Sequence, residues 1–258
     1  MKPAAAVEAS PEAESTQGRQ RLLGCPRVRT ALEEKERLQC VIIPREDVSP
    51  GARQLADRAE AEGIEILQVG ARRFERLRGN HSDADILALA GPGADAPMAE
   101  VMARGGAVWL LTGPAYPGNV GFAIRTAEVS GADGLYVDND FDHQGRLEAR
   151  RAAMRADRFM PVGWACDDEV LSAARAVGKR LVAVEDVGRS APWEVDLCGS
   201  LLIVVGAEAE GVPQAVLSRC DEVVRIPMAG FVASYNLQAA VASIASERFR
   251  QQQGGPRS

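Results

Sequence analysis

The chain has 258 residues, 46% of them hydrophobic and 26% charged, and a formal net charge of −6. This is the make-up of an ordinary soluble globular protein of one large or two small domains, and no apolar run reaches the ~18 residues of a membrane span. Five scattered cysteines (Cys25, Cys40, Cys166, Cys198, Cys220) form no C-x-x-C pair and only two histidines occur (His81, His143), which argues against a disulfide framework and a metal site.

Residues 1–18, MKPAAAVEASPEAESTQG, carry three glutamates and no apolar core. They read as a disordered tail, not as a secretory or transit signal, so the cytoplasm is the expected location. Residues 19–90 alternate helix and strand signals. VRTALEEKERL is helical and QCVIIP is a strand. SPGARQLADRAEAEG is a helix opened by Ser49, with Pro50 at its first position and Gly63 closing it. IEILQV, the short basic helix ARRFERLRG and the strand ADILALAG follow. GPGADAPMAEVMARGG has the character of a linker and places a domain boundary at 91–105.

From residue 106 onward, AVWLLT, GLYVD, RLVAVE, SLLIVV and EVVRI are continuous apolar runs bounded by turn residues. That pattern suits parallel strands buried on both faces. Helical segments separate them, DDEVLSAARAVG among them, and SYNLQAAVASIASERFRQQQ is a long last helix before a frayed end. The expectation for 106–258 is a parallel α/β sheet with helices on both faces.

Ligands of an open parallel sheet bind beyond the carboxyl ends of its strands. Three glycine-bearing segments occupy such ends: TGPAYPGNVGFAIR after AVWLLT, GAEAEGVP after SLLIVV and PMAGFVASYN after EVVRI. No G-x-G-x-x-G follows a strand, and neither a P-loop nor a G-x-S-x-G is present, which sets aside the simplest dinucleotide, nucleotide-triphosphate and hydrolase readings. Taken singly, the polar residues have ordinary explanations. Asn119 suits an N-cap, and Arg125, just off the stripe Val120, Ala123, Ile124, Ala127, suits a snorkelling surface cation. Glu208 suits an exposed turn or a cap for the helix at Val212. Ser234 suits a cap for the last helix, with Asn236 in its first turn. Their coincidence at three strand ends is what singles them out.

Together the segments resemble a known family. PGNVGFAIRTAEVSGADGL is similar to the first motif of the SpoU/TrmH RNA ribose methyltransferases of the SPOUT superfamily, VVGAEAEGVP to the second and IPMAGFVASYNLQAAVA to the third, in the family's order over residues 106–250. Where many members have Asn-Glu-Gly, this chain has Ala207, Glu208, Ala209, and Tyr235 replaces a common leucine. The resemblance implies a SPOUT-type parallel sheet whose C-terminal segment threads a trefoil knot, otherwise nearly absent from proteins. It implies S-adenosyl-L-methionine as methyl donor, held by backbone groups near Gly206, Ile226, Met228 and Tyr235. It also implies a homodimer with the active site completed across the interface. The N-terminal domain resembles the small ribosomal-protein-like α/β module with which many members grip RNA.

On this resemblance the reaction is methyl transfer to a ribose 2′-hydroxyl without a metal. Arg125 is the residue nearest the chemistry, but a guanidinium is a poor base. It is expected to bind a phosphate beside the target ribose and stabilise developing negative charge on oxygen. Asn119 positions ribose or phosphate, Glu208 orients Arg125 or orders the cofactor loop, and Ser234 and Asn236 hydrogen-bond the arginine or the substrate. Both halves of the chain are mildly acidic, with 15 basic and 17 acidic residues over 1–105 and 15 and 19 over the rest. RNA contact is therefore assigned to arginine patches, Arg72, Arg73, Arg76 and Arg78 in the first half and Arg150 and Arg155 in the cluster at 146–158. Ribosomal RNA is favoured over transfer RNA because of the extra domain. The competing readings are an inactive RNA-binding homologue, a base-methylating SPOUT enzyme and an unrelated nucleotide-binding α/β protein.

Overall fold

The computed structural model describes residues 19–254 apart from 80, 92 and 233; the expected tail at 1–18 and the last four residues lie outside the described residues. The first unit runs β1 (Gln20–Leu23), α1 (Gly24–Glu33), β2 (Leu38–Pro44), α2 (Pro50–Ala61), β3 (Glu65–Val69), α3 (Ala71–Arg78) and β4 (Leu87–Ala90). The α2 boundaries follow their sequence signals. Ser49 Oγ accepts the Ala52 N–H at 3.1 Å, Pro50 needs no donor in the first turn, and Gly63 beyond the end takes φ +81°. The helix expected at 28–38 lies instead at Gly24–Glu33, because Leu38 is already paired in the sheet. Strand order is β1-β4-β2-β3, with β2 and β3 parallel and β4 antiparallel to both its neighbours. The sequence gives no sign of β1. QRLL holds one fully buried residue, Leu22, and is a strand because β4 supplies its partner.

The second unit contains β5 (Ala107–Thr112), α5 (Pro117–Val129), β6 (Gly134–Asp138), α6 (His143–Ala152), β7 (Val162–Trp164), α7 (Asp167–Ala176), β8 (Arg180–Val184), β9 (Leu201–Gly206), α8 (Gln214–Leu217), β10 (Glu222–Val224) and α9 (Leu237–Gln252). Its six strands are all parallel, in the order β10-β8-β9-β5-β6-β7. All six residues of the central AVWLLT strand are buried, since helices cover both faces. One face packs on α5, α6 and α9 and the other on α7 and α8. Lys179, fully buried, donates to the carbonyls of Arg104 (2.7 Å) and Gly106 (2.9 Å) and to Ser200 Oγ, tying together the amino ends of the central strands.

Part of the expected linker is structured. Within 91–105, Met98–Met102 form α4, and Val101 and Met102 are buried in the core shared with Val108 and Leu171. Arg19 fastens the start of the first unit to the second. Its side chain is 4% exposed, its guanidinium donates to the Glu128 carboxylate (2.8 Å), the Glu128 carbonyl (2.9 Å) and the Phe159 carbonyl, and its backbone N–H donates to Asp133 Oδ1 at 3.0 Å. Burial pushes its pKa down, and the pairing with Glu128 opposes that shift. Removing one partner of a buried pair strands the other. Arg19→Ala is therefore expected to cost about 2–4 kcal/mol and to lower Tm by roughly 5–10 °C in a chain of this size. A thermal melt followed by circular dichroism that stays within about 2 °C of wild type contradicts this.

Candidate active site

The carboxyl end of β9 is built around two glycines. A Cβ at Gly206 would lie 2.1 Å from the Gly211 carbonyl carbon and 2.3 Å from the Val212 nitrogen. Only glycine lets the chain double back there, and Ala207 and Gly211 form the antiparallel bridge that closes the turn, with Gly211 N–H donating to Ala207 O at 3.0 Å. Gly211 has φ +68° and is itself pressed against Glu185. Glu185, just past the end of β8, accepts the Val212 N–H through Oε2 (2.6 Å) and the Asp186 N–H through Oε1 (2.9 Å). This carboxylate staples two strand-end loops. In the sequence Glu185 is the last residue of the RLVAVE run, and its only local signal is a carboxylate closing an otherwise apolar strand.

The 206–211 turn, the segment after β8 and the loop between β10 and α9 enclose a cleft of about 320 Å³. Gly206, Ile226, Met228 and Tyr235 all line it, together with Glu208, Ser234, Glu185, Asp186 and Glu210. Tyr235 OH donates to Pro227 O at 3.2 Å and closes its loop on itself. The helix following β5 reaches the cleft through Asn119, whose Nδ2 donates to Glu208 Oε1 at 2.5 Å. Ser234 Oγ donates to Glu208 O at 3.4 Å. One line of contacts, Asn119–Glu208–Ser234, thus joins all three segments. Glu208 Oε2 is buried and has no hydrogen-bond partner among the described residues.

Several of the ordinary explanations give way. Asn119 is not the N-cap of α5: the helix starts at Pro117 with Tyr116 at the cap, leaving the Asn119 amide free for Glu208. Glu208 caps no helix; α8 begins at Gln214 after Pro213. Asn236, not Ser234, caps α9, its Oδ1 accepting the Gln238 N–H at 3.0 Å.

Arg125 stands apart. It is exposed, it does not line the cleft, and no hydrogen bond or ion pair ties it to a described residue. Glu208 is held by Asn119, not by Arg125. Arg125 lies in an open groove between α5 and α9, beside Phe122, Val129, Gln238 and Phe249. Phe122 is 48% exposed, Val129 76% and Phe249 53%.

The basic patches divide in the same way. Arg72, Arg73 and Arg76 project from α3, exposed and without ion-pair partners among the described residues. Arg78 is a structural residue, bound to the Glu75 carboxylate (2.7 Å) and the Ser82 carbonyl (2.7 Å). Arg150 lies 3.8 Å from Asp157, whereas Arg155 is exposed and unpaired at φ 70°. Arg158 pairs with Glu65 at 3.6 Å, so the segment bearing the second cluster touches the strand that leads into α3.

A second polar cluster sits at the ends of β5 and β6. Thr112 Oγ1 donates to Asp167 Oδ2 (2.7 Å), and Asp138 Oδ2 accepts the Asp167 N–H (2.8 Å). Burial pushes the Asp167 carboxyl up to about 6; the Thr112 hydrogen bond opposes this and the neighbouring Asp138 carboxylate adds to it. A raised folded-state pKa favours the protonated form. The associated stability is present below the ordinary value of 3.8 and is lost as pH rises through about 6. Urea midpoints of the wild type are expected to fall between about pH 4 and pH 6.5, and Asp167→Asn is expected to flatten that slope; equal slopes in the two proteins contradict the assignment.

Residues 107–246 match the SpoU rRNA Methylase family. A Mycobacterium avium protein described as an uncharacterized tRNA/rRNA methyltransferase is 29% identical over 203 residues, 76% of this chain and 66% of that protein, so the chain spans about two thirds of this relative's length. The 23S rRNA (guanosine-2'-O-)-methyltransferase RlmB of Bordetella pertussis is 28% identical over 206 residues, 77% of this chain and 83% of that protein. Among solved structures, the SpoU methyltransferase AviRb from Streptomyces viridochromogenes, in complex with the cofactor AdoMet, matches with a TM-score of 0.57 at 23% identity over 96% of each chain, a likeness of fold.

Proposed function

Because the chain belongs to the SpoU rRNA methylase family, we propose that it is an S-adenosylmethionine-dependent RNA methyltransferase whose acceptor is a ribose 2′-hydroxyl. The observation that carries this reading is the Asn119–Glu208–Ser234 line, which draws three distant segments into one cleft at the strand ends. The cleft suits the donor. Glycines allow close backbone approach, four carboxylates (Glu185, Asp186, Glu208, Glu210) favour a ligand bearing a sulfonium, and Glu208 Oε2 is a buried acceptor awaiting a partner. Gly206, Ile226, Met228 and Tyr235 would hold it. When bound, the donor supplies an electrophilic methyl group. The chain's own work is alignment: Asn119 and Ser234 fix the Glu208 loop, and Arg125 clamps a phosphate beside the acceptor ribose.

Arg125 lies outside the cleft of its own chain, which supports a homodimer in which the groove between α5 and α9 is covered by a second copy and Arg125 serves the partner's cleft. The exposed Phe122, Val129 and Phe249 are the apolar surface such an interface buries. We read the segment after β10, which returns to pack α9 on α5, as the knotted segment. Of the arginine patches assigned to RNA, Arg72, Arg73, Arg76 and Arg155 are the members left without an ion-pair partner among the described residues, with ribosomal RNA the favoured class. The test is incubation with methyl-labelled S-adenosylmethionine and separate pools of unmodified ribosomal and transfer RNA, followed by digestion to nucleosides. Label in a 2′-O-methyl nucleoside is expected; label on a base overturns the acceptor, and no label in either pool overturns the enzyme.

A further inference from the structure

The Asn119–Glu208–Ser234 line has an exposed aromatic residue three positions from each end. Tyr116, at the cap of α5, is 63% exposed, and Phe231, in the loop that supplies Met228, Ser234 and Tyr235 to the cleft, is 110% exposed. Neither side chain has a ring contact or hydrogen bond to a described residue. An aromatic ring held wholly in water forgoes the burial that normally places it in a core. Phe231 does not line the apolar groove of α5 and α9, whose exposed rings are Phe122 and Phe249.

We infer that Phe231 and Tyr116 are base-stacking residues that hold unpaired nucleobases of the RNA on either side of the methyl-transfer cleft. The inference rests on the methyltransferase reading and deepens it by naming how the acceptor is gripped. A ribose presented at the cleft carries its own base, and its neighbours' bases, out past the rim. The cleft is lined by Glu185, Asp186, Glu208 and Glu210, which disfavour any phosphate beyond the one that Arg125 clamps. Close to the cleft, recognition therefore falls to the uncharged faces of the bases, and an aromatic ring is the partner that every base accepts. Arg189 and Arg225, exposed and unpaired among the described residues, lie on two segments that meet where Arg225 N–H donates to Ser190 O at 2.9 Å. They supply the cation that backbone phosphates need once clear of the acidic cleft. Aromatic rings with nearby arginines are the signature of single-stranded recognition, so the acceptor is an unpaired nucleotide in a loop or bulge.

The experiment compares the full-length wild type with Phe231→Ala, Phe231→Leu, Phe231→Trp and Tyr116→Ala. Binding is read by anisotropy with a fluorescein-labelled, mixed-sequence 12-nucleotide single-stranded RNA and with the same RNA annealed to its complement. S-adenosylmethionine binding is read by calorimetry and oligomeric state by sedimentation. Phe231→Ala and Tyr116→Ala are each expected to weaken single-strand binding about tenfold, and Phe231→Trp to restore it where Phe231→Leu does not. Cofactor affinity, sedimentation and the weaker duplex binding stay unchanged. Four results overturn the inference: wild type that does not prefer the single strand, an alanine variant within twofold of wild type, rescue by leucine equal to rescue by tryptophan, or a Phe231→Ala protein that changes its oligomeric state and so places the ring in a subunit contact. Absence of S-adenosylmethionine binding by the wild type instead overturns the methyltransferase reading, and it does so independently of the RNA measurements.

Discussion

Arg125→Ala is expected to lower kcat for methyl transfer by at least about 100-fold while leaving S-adenosylmethionine affinity within about twofold of wild type. The size follows from the cost of removing one preorganised donor from a developing oxyanion, on the order of 10²–10³ in rate. The indifference of cofactor binding follows from position, because Arg125 does not line the cleft of its own chain. The same position makes a sharper expectation. If each Arg125 serves the partner's cleft, a mixture of Arg125→Ala with a cleft-dead variant forms heterodimers in which one site keeps both its own loop and an intact arginine from the other chain. Activity should then reappear on mixing two inactive proteins. An Arg125→Ala enzyme with unchanged kcat removes the residue from the mechanism, and failure of complementation in demonstrated heterodimers removes the cross-subunit arrangement.

Gly206→Ala is the second large effect. The added methyl would meet Gly211 and Val212 backbone atoms at 2.1–2.4 Å. Those atoms have little room to retreat, since Gly211 already abuts the Glu185 carboxylate and the Val212 N–H is held by it at 2.6 Å. The turn must open, with an overpacking cost of about 1–3 kcal/mol, and Glu208 leaves Asn119 as it does. S-adenosylmethionine affinity is expected to drop at least about 30-fold, roughly 2 kcal/mol. Gly70→Ala is the control: nothing lies within 4 Å of its Cβ position and its φ is −65°, so it should melt with the wild type. A Gly206→Ala protein that binds the donor within about threefold of wild type shows that the turn does not shape the site.

The strands that position the site were legible because burial on both faces leaves a continuous apolar run. AVWLLT and the apolar core of SLLIVV need no partner information to be recognised. QRLL and VGW lacked such a signal. Each is three or four residues at a sheet edge, and each owes its pairing to one neighbour, β4 or β6. The cleft itself was legible at the level of segments, since strand ends are where ligands bind. Its wiring was not. Asn119 looked like a cap because asparagine caps helices well, yet Pro117 starts the helix two residues earlier and frees the amide for a carboxylate 89 positions away. Asn119 and Arg125 share α5, but six residues at about 100° per residue set them roughly 120° apart around the helix and about 9 Å along it. That is why one reaches Glu208 and the other faces the α5–α9 groove. Thr112, which acts through the distant Asp167, carries no local pattern that separates it from an ordinary strand end, whereas Glu185 is marked only by being a carboxylate at the close of an apolar run.

The most direct measurement is a crystal structure of the protein grown with S-adenosylmethionine. The donor is expected in the cleft between the 206–211 turn and the loop bearing Met228 and Tyr235, with Glu208 still held by Asn119 and Arg125 of the second subunit approaching the same opening. A donor bound elsewhere on the second unit, or lying in the α5–α9 groove beside Arg125, would contradict it.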